Sequence, residues 1–595
     1  MICRILLTLI LLPSLTYAAC NCGSTNSASP CTGQSISVTV DATVSPTIDN
    51  VYSWAFNSGG GDARCGQFAN GDYWVAPASG QSTVTITAIT SSSHASFIKA
   101  DADPTTESMG LLTGPLNYGN YVAAENIIPN LPLSYSGINS IVAAIQRNEA
   151  VEDLCGTSGI EGQCIDSYHV VTVLSSVPEN AGSTVLRPNV TGTTKSLISL
   201  SDLTLSRVPS KSFLVGTDAA GLEAIRTRWS HSIEIFAVHN DVGTEIGYCS
   251  EGGRAYRSAT IIDDYGAGMA ATWYNDLMRL FSDDHTIAEK TPALAAMLSF
   301  GLDLYKTMFE VPEGYVREWG TGATQHPGRF MPTVLLGALL TDTTIATELT
   351  GVAATVHDNI YSGPSELAQL HYGSNGPVWG DVPALGGVNF LGSYWGNLMA
   401  SRCWDGHPDT CTPSIGSKNM YDPHGYIDGP PNKPGTSYIG SSLGGQRSMA
   451  ATMILMPETR AIVNYEMLFE YVFRVQDHGV LAAPDPCVTP DSRENFTTCD
   501  PYRNTGCTYY GVTWGPVNPT VTTSACITTP TSPYTKQGRF LLVDGTALGA
   551  VYTSSQVESN WTTIRALYQA LSNRSVSLDG TGAASTDGAG SLTIQ

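Results

Sequence analysis

At 595 residues the chain carries a formal net charge of −23, yet only 14% of its residues are charged and no basic tract occurs. Phosphate binding needs clustered Lys and Arg, so a nucleic-acid partner is excluded. An anionic sugar stays open, because a few arginines in a cleft set the local potential whereas net charge mainly governs solubility.

Residues 1–19 read as a secretory signal, with Arg4, an apolar run from Ile5 to Leu12, Pro13 and the small-residue ending Thr16-Tyr17-Ala18. That run is too short to span a bilayer and no later apolar stretch of about 18 residues follows, so the mature chain is expected to be extracellular, with no membrane span. Loss of Cys3 with the signal leaves thirteen of the 14 cysteines, and therefore one without a partner. Their dispersal, with no paired CxxC spacing, fits disulfides in an oxidising compartment better than a zinc site. Cys155 with Cys164 and Cys403 with Cys411 read as small stapled loops. Cys20 is a candidate for the odd thiol, because Ala18-Ala19-Cys20 loosely resembles a lipoprotein cleavage box. Sequons at Asn189, Asn495, Asn560 and Asn573 would place each Asn on a solvated surface if the host glycosylates.

Residues 34–145 predict a small antiparallel β domain, from alternating runs such as Ser35–Val40 and Ser82–Ala88 separated by Gly-, Asn- and Ser-rich turns. Within it, Asn70-Gly71 directly before the aromatic run Tyr73-Trp74-Val75 is a strong hairpin signal. After about residue 146 the apolar spacing becomes helical, over Gly266–Phe281, Pro292–Phe309, Met331–Leu340, Ser442–Met456 and Tyr465–Val475. Helix pairs joined by Gly-rich loops predict a mainly α fold over 146–480, an (α/α) toroid of helix hairpins carrying the chemistry. The loop-like stretch 371–438 is long enough to expect a function. Residues 481–575 read as a disulfide-rich excursion with a closing helix from Trp561 to Leu571, and 576–595 as a disordered tail.

Three landmarks carry a resemblance. They are Phe68-Ala-Asn-Gly-Asp-Tyr-Trp-Val75; the block Ser299-Phe-Gly-Leu-Asp-Leu-Tyr305, Trp319 and Gly322-Ala-Thr-Gln-His326-Pro-Gly-Arg329-Phe-Met-Pro; and Gly444-Gly-Gln-Arg-Ser-Met-Ala-Ala-Thr-Met-Ile-Leu-Met456. In this order they resemble secreted toroid proteins similar to alginate- and glucuronan-cleaving polysaccharide lyases. The sequence departs from that pattern at Gln325, which stands where the pattern has glycine, at Phe330, which replaces a basic residue, and in the long loop 371–438, which carries its own cysteines.

The resemblance implies β-elimination on an acidic, uronate-containing polysaccharide. That reaction needs a base for the C5 proton, a donor or cation for the neighbouring carboxylate, and an acid for the departing glycosidic oxygen. His326 is the candidate base or carboxylate partner, and Arg329, three residues on, is the candidate to neutralise the uronate with its planar fork. Tyr372 is the first choice of acid and Tyr265 the second. His231 and His371 are candidate cleft residues, and Trp319, Trp379 and Trp395 candidate stacking platforms, although packing accounts equally well for any one of these aromatic residues. No cofactor or metal is assigned. A glycoside hydrolase using Asp263, Asp264 or Glu318, and a non-catalytic carbohydrate-binding protein, remain alternatives. No GxSxG elbow, HExxH helix, P-loop or strand-linked GxGxxG occurs, which removes the commonest serine-hydrolase, metalloprotease and nucleotide readings.

Overall fold

Period-two alternation marks the first strands of the chain. A computed structural model describes residues 30–41, 49–91, 98–102, 126–146, 165–190, 194–231, 266–309, 325–350, 437–464 and 554–572, with short stretches between 468 and 541 and after 576. In β2 (Ser35–Asp41), Ile36, Val38 and Val40 are buried while Ser35 and Thr39 face solvent. This strand pairs with β3 (Asp49–Asn57), β3 with β6 (Val84–Ser91) and β6 with β8 (Leu133–Tyr135), all antiparallel.

A second sheet has the order β1 (Cys31–Gly33), β4 (Ala63–Gln67), β5 (Tyr73–Ala76), β10 (Ile165–Val173), β9 (Asn139–Gln146) and β7 (Ile98–Ala102). Only the pairing of β10 with β5 is parallel. Apolar faces of both sheets meet in one core that includes Ile36, Tyr52, Trp54 and Phe56 from one and Val75, Ile141 and Val171 from the other. The expected hairpin is present, with Gly71 at φ +92° in the β4–β5 turn. A Cβ there would strike the Arg226 guanidinium, so both the backbone angle and this close approach require glycine.

The helices are α1 (Ala219–Ser230), α2 (Gly266–Leu280), α3 (Ile287–Phe309), α4 (Gln325–Leu339), α5 (344–350), α6 (Ser437–Leu455), α7 (Pro457–Val463) and α8 (Ser555–Ser572). Asp218 caps α1 by accepting from Gly221 N at 2.8 Å. Thr286 and Glu289 form a reciprocal box at the start of α3. Trp229, Trp273, Phe281, Phe300, Leu302 and Phe330 belong to the helical core. The α3–α4 crossing is close because Gly301 leaves room for the Pro332 carbonyl.

The described part is 48% helical and 25% strand, with its six- and four-stranded sheets in the N-terminal region, which overturns the mainly α toroid of helix hairpins. The fold is mixed α and β. The helical periodicity of the later segments is genuine, but it does not report how helices are arranged. Nor does it reveal that β10, beyond the expected β domain, returns to pair between β5 and β9. The Asn189 sequon is also corrected: Asn189 is fully buried, its Nδ2 donating to Thr194 O and its Oδ1 accepting from Ser196 N. Among the described residues no helix is long and apolar enough to cross a membrane.

Sheets and helices are joined by one buried guanidinium. Arg187 Nη2 lies 2.6 Å from Asp303 Oδ2 on α3, and its Nε lies 2.8 Å from Asp72 Oδ2 in the β4–β5 turn. Asp303 also accepts from Val190 N at 2.8 Å, and Asp72 from Asn70 Nδ2 at 2.7 Å. The Asn70 carbonyl in turn accepts from Arg226 Nη1 and Ser230 Oγ of α1. Burial lifts the Asp72 carboxyl to about 6 against the pull of Arg187, and lifts Asp303 in the same direction. Burial also opposes the Arg187 charge, but Asp303 and Asp72 outweigh it and hold the guanidinium protonated.

Replacing Arg187 with Met strands two buried carboxyls, so we expect Arg187→Met to lower unfolding free energy by about 3–5 kcal/mol in a denaturant titration. Adding Asp72→Asn and Asp303→Asn to that variant should restore part of the loss.

Candidate functional site

Helix α4 begins at Gln325, so the expected loop carrying His326 is already the helix's first turn. Positions 326 and 329 are three residues apart on that helix, which places them on one face. Arg329 is only 5% exposed, a packed residue rather than one open to a polymer. Tyr265, Trp319, His371, Tyr372, Trp379 and Trp395 lie outside the described residues, as do Asp263, Asp264 and Glu318.

His231 follows the last residue of α1 and is half-buried. Its N–H donates to Thr227 O at 3.0 Å, and its carbonyl accepts from the buried Tyr168 hydroxyl of β10. Burial first, and Arg226 second, push its imidazole down to about 3. Its neighbour in charge is His169, which no motif singled out. Trp54 Nε1 donates to His169 Nε2 at 2.6 Å, so the proton of the neutral ring sits on Nδ1. Tyr52 lies against the same ring at 4.2 Å between centroids. Burial, with His231 adding to it, holds His169 well below its ordinary value. These two histidines are therefore neutral structural groups joining β10, β3 and α1.

A cleft of about 390 Å³ opens instead where α3 and α4 end. Tyr305 and Lys306 enter it from α3, two and three residues after the buried Asp303. Leu340, Thr341 and Asp342 enter from the end of α4, and Asp202 from a short turn opposite. The walls are tied together by Thr204 N donating to Leu339 O at 2.7 Å and Thr341 N to Asp202 O at 2.9 Å.

The Tyr305 hydroxyl donates to the exposed Glu348 carboxylate, and its ring stacks on Phe309 at 4.7 Å. Lys306 Nζ stands 5.9 Å from the centre of the same ring. Asp342 Oδ1 accepts from Thr344 N and Oγ1 at 2.9 and 2.7 Å, and Asp202 Oδ2 from Ser199 N at 2.8 Å. This hydrogen bond ties α3 to α5 beside the cleft. With Asp202, Asp342 and Glu348 set against Lys306, the cleft favours hydroxyls or cations over a uronate carboxylate.

This cleft lies about 20 Å from His326, at the other end of the fifteen-residue α4. Tyr305 closes the run Ser299–Tyr305 of the second landmark but is not among the residues that the sequence marks for chemistry. The only signal is a Tyr-Lys pair two residues after an Asp, late in an apolar helical run. Among the described residues no group of three or more His, Cys, Asp or Glu is placed to hold a metal ion. No protein-family model, curated protein or solved structure matches the chain.

The depressed histidines set a direction for acid sensitivity. Unfolded imidazoles take up a proton below about 6.5, while His231 resists until about 3, so the unfolded state binds more protons in that window and stability falls as pH falls. Asp72 works in the opposite sense, because its folded value is the higher one. His169→Gln keeps an acceptor for Trp54 and removes one titrating ring. We expect the variant to lose less stability than the parent between about pH 7 and pH 4, read from denaturant midpoints.

Proposed function

We propose that this chain is an extracellular enzyme that shortens an acidic, uronate-containing polysaccharide by β-elimination. The observation that carries this reading is the convergence of landmarks far apart in sequence. Asp72 of the first and Asp303 of the second are held by one guanidinium. Arg447 of the third pairs instead with Glu558, outside the landmarks, at 2.6 Å, fixing closing helix α8 to α6. Chance matches to a pattern have no reason to share one buried guanidinium, as the first two landmarks do. The toroid is not part of the reading.

In the reaction, His326 removes the C5 proton, charge spreads onto the adjacent carboxylate, and an acid, Tyr372 or Tyr265, protonates the leaving glycosidic oxygen. Arg329, being buried, acts as a positioning residue for the first turn of α4 and not as the uronate's direct partner. The second reading, a glycoside hydrolase or a protein that binds neutral sugars, is favoured by the carboxylate-rich cleft at Tyr305.

Purified protein incubated with alginate, glucuronan and neutral glucans should generate the ultraviolet absorption of an unsaturated uronate from an acidic polymer only. We expect His326→Ala to lower that rate by about 10²–10⁴-fold with the fold intact. New reducing ends without the absorption would establish hydrolysis instead. Tyr305→Phe separates the two places, since elimination at α4 predicts a rate within about twofold of the parent, whereas chemistry in the cleft predicts a loss of the size given for a proton-transfer group.

A further inference from the structure

The cleft at the ends of α3 and α4 carries charges of both signs, and that narrows what it can hold. Asp342 Oδ1 is taken by Thr344 N and Oγ1, and Asp202 Oδ2 by Ser199 N. The other oxygen of each carboxylate accepts no hydrogen bond among the described residues. The Thr344 N–H, and after it the Thr344 hydroxyl, hold the Asp342 carboxyl below its usual range, so it stays an anion in mild acid. Lys306 lines the same cleft although only 8% exposed, its Nζ 5.9 Å from the centre of the Tyr305 ring. Ile198, Leu340 and Ile345 add an aliphatic wall.

A small cation would satisfy the carboxylates but meet the Lys306 charge, and an anion would meet two carboxylates. A hydroxyl both donates and accepts, so it pairs with either sign and brings no charge of its own. Neighbouring hydroxyls of one sugar ring can donate to Asp202 and Asp342 and accept from Lys306, while the C–H face of the ring lies on the aliphatic wall. The volume of about 390 Å³ falls in the range of small-molecule sites. The walls are set in advance, since Thr341 N and Oγ1 donate to Asp202 O at 2.9 and 3.1 Å and Arg207 Nη1 donates to Ala338 O at 2.6 Å. Binding then pays little for ordering the site.

We propose that this cleft binds a neutral sugar unit, held through its hydroxyls by Asp202, Asp342 and Lys306. The site takes nothing from His326, about 20 Å away at the start of α4, so it goes beyond the elimination reading and does not depend on it. Uronate units are disfavoured here. A polymer that mixes neutral and acidic units is therefore gripped at the cleft through its neutral ones.

The test titrates the full secreted protein with neutral di- and trisaccharides of glucose, mannose, galactose and xylose, with an oligoalginate and with glucosamine, read by ligand-observed NMR. Two variants of the cleft, each checked for the parent's melting temperature, locate the binding. Asp342→Asn keeps a cap for Thr344 but loses the charge, and should weaken binding of a neutral sugar about tenfold, the size of one charge-assisted hydrogen bond. Thr344→Trp, at an exposed position on the cleft wall, should fill the space and abolish that binding. Oligoalginate and glucosamine should bind the parent and both variants alike. Three results would overturn the proposal: no neutral sugar binds, its binding survives in both variants, or the variants lose oligoalginate or glucosamine binding in place of it. The readout needs no turnover, so its failure is distinct from a failure to form unsaturated uronate.

Discussion

The structure depends on keeping one cation between two anions out of water. Arg187 and Asp303 are both fully buried and Asp72 nearly so. The three come from a β-turn, an irregular segment and a helix. An isolated charge at any of these positions is prohibitively unfavourable, and each is tolerated because the other two are present. The contact therefore specifies which faces meet more than it adds net stability. It admits an arrangement in which the Asn70-Gly71 turn, α1 and α3 lie together, and penalises others by an unpaired buried charge.

From that hub, geometry propagates along helices. Asp303 is held in the interior, so Tyr305 and Lys306, two and three residues further on, emerge at the end of α3 beside the end of α4 and form one wall of the cleft. The opposite wall, from Ser196 to Asp202, follows the same irregular segment that supplies Arg187. Its position is thus set by Val190 N and the Arg187 side chain, both bound to Asp303. One aspartate positions both walls. The start of α4 lies at the far end of that helix, with Arg329 turned into the protein. The fold thus separates a polar cleft from the turn that carries His326.

The buried polar residues within and beside the landmarks are here largely structural. Asp72, Asp303 and His169 each satisfy a buried partner, Arg447 pairs with the part-exposed Glu558, and burial keeps His169 and His231 neutral. Charged and aromatic residues in compact motifs serve an ion-paired interior as readily as an active site, because both need fixed geometry and low dielectric.

Local chemistry was legible from the sequence alone. The strands alternating at β2 and β6, the Asn-Gly turn with its required glycine, and the amphipathic helices at α2, α3 and α4 follow from side-chain period and turn preference, which neighbours in sequence settle. The rest depends on partners distant in sequence. Nothing in residues 165–173 announces that β10 inserts between β5 and β9, because a buried parallel neighbour leaves no period of its own in the chain. That Asn189 faces inward, that Arg187 bridges residues 115 positions before it and 116 after it, and that a cleft forms at Tyr305 were decided when separate segments packed. Helical periodicity states that a face will be buried; which element buries it is a property of the tertiary structure.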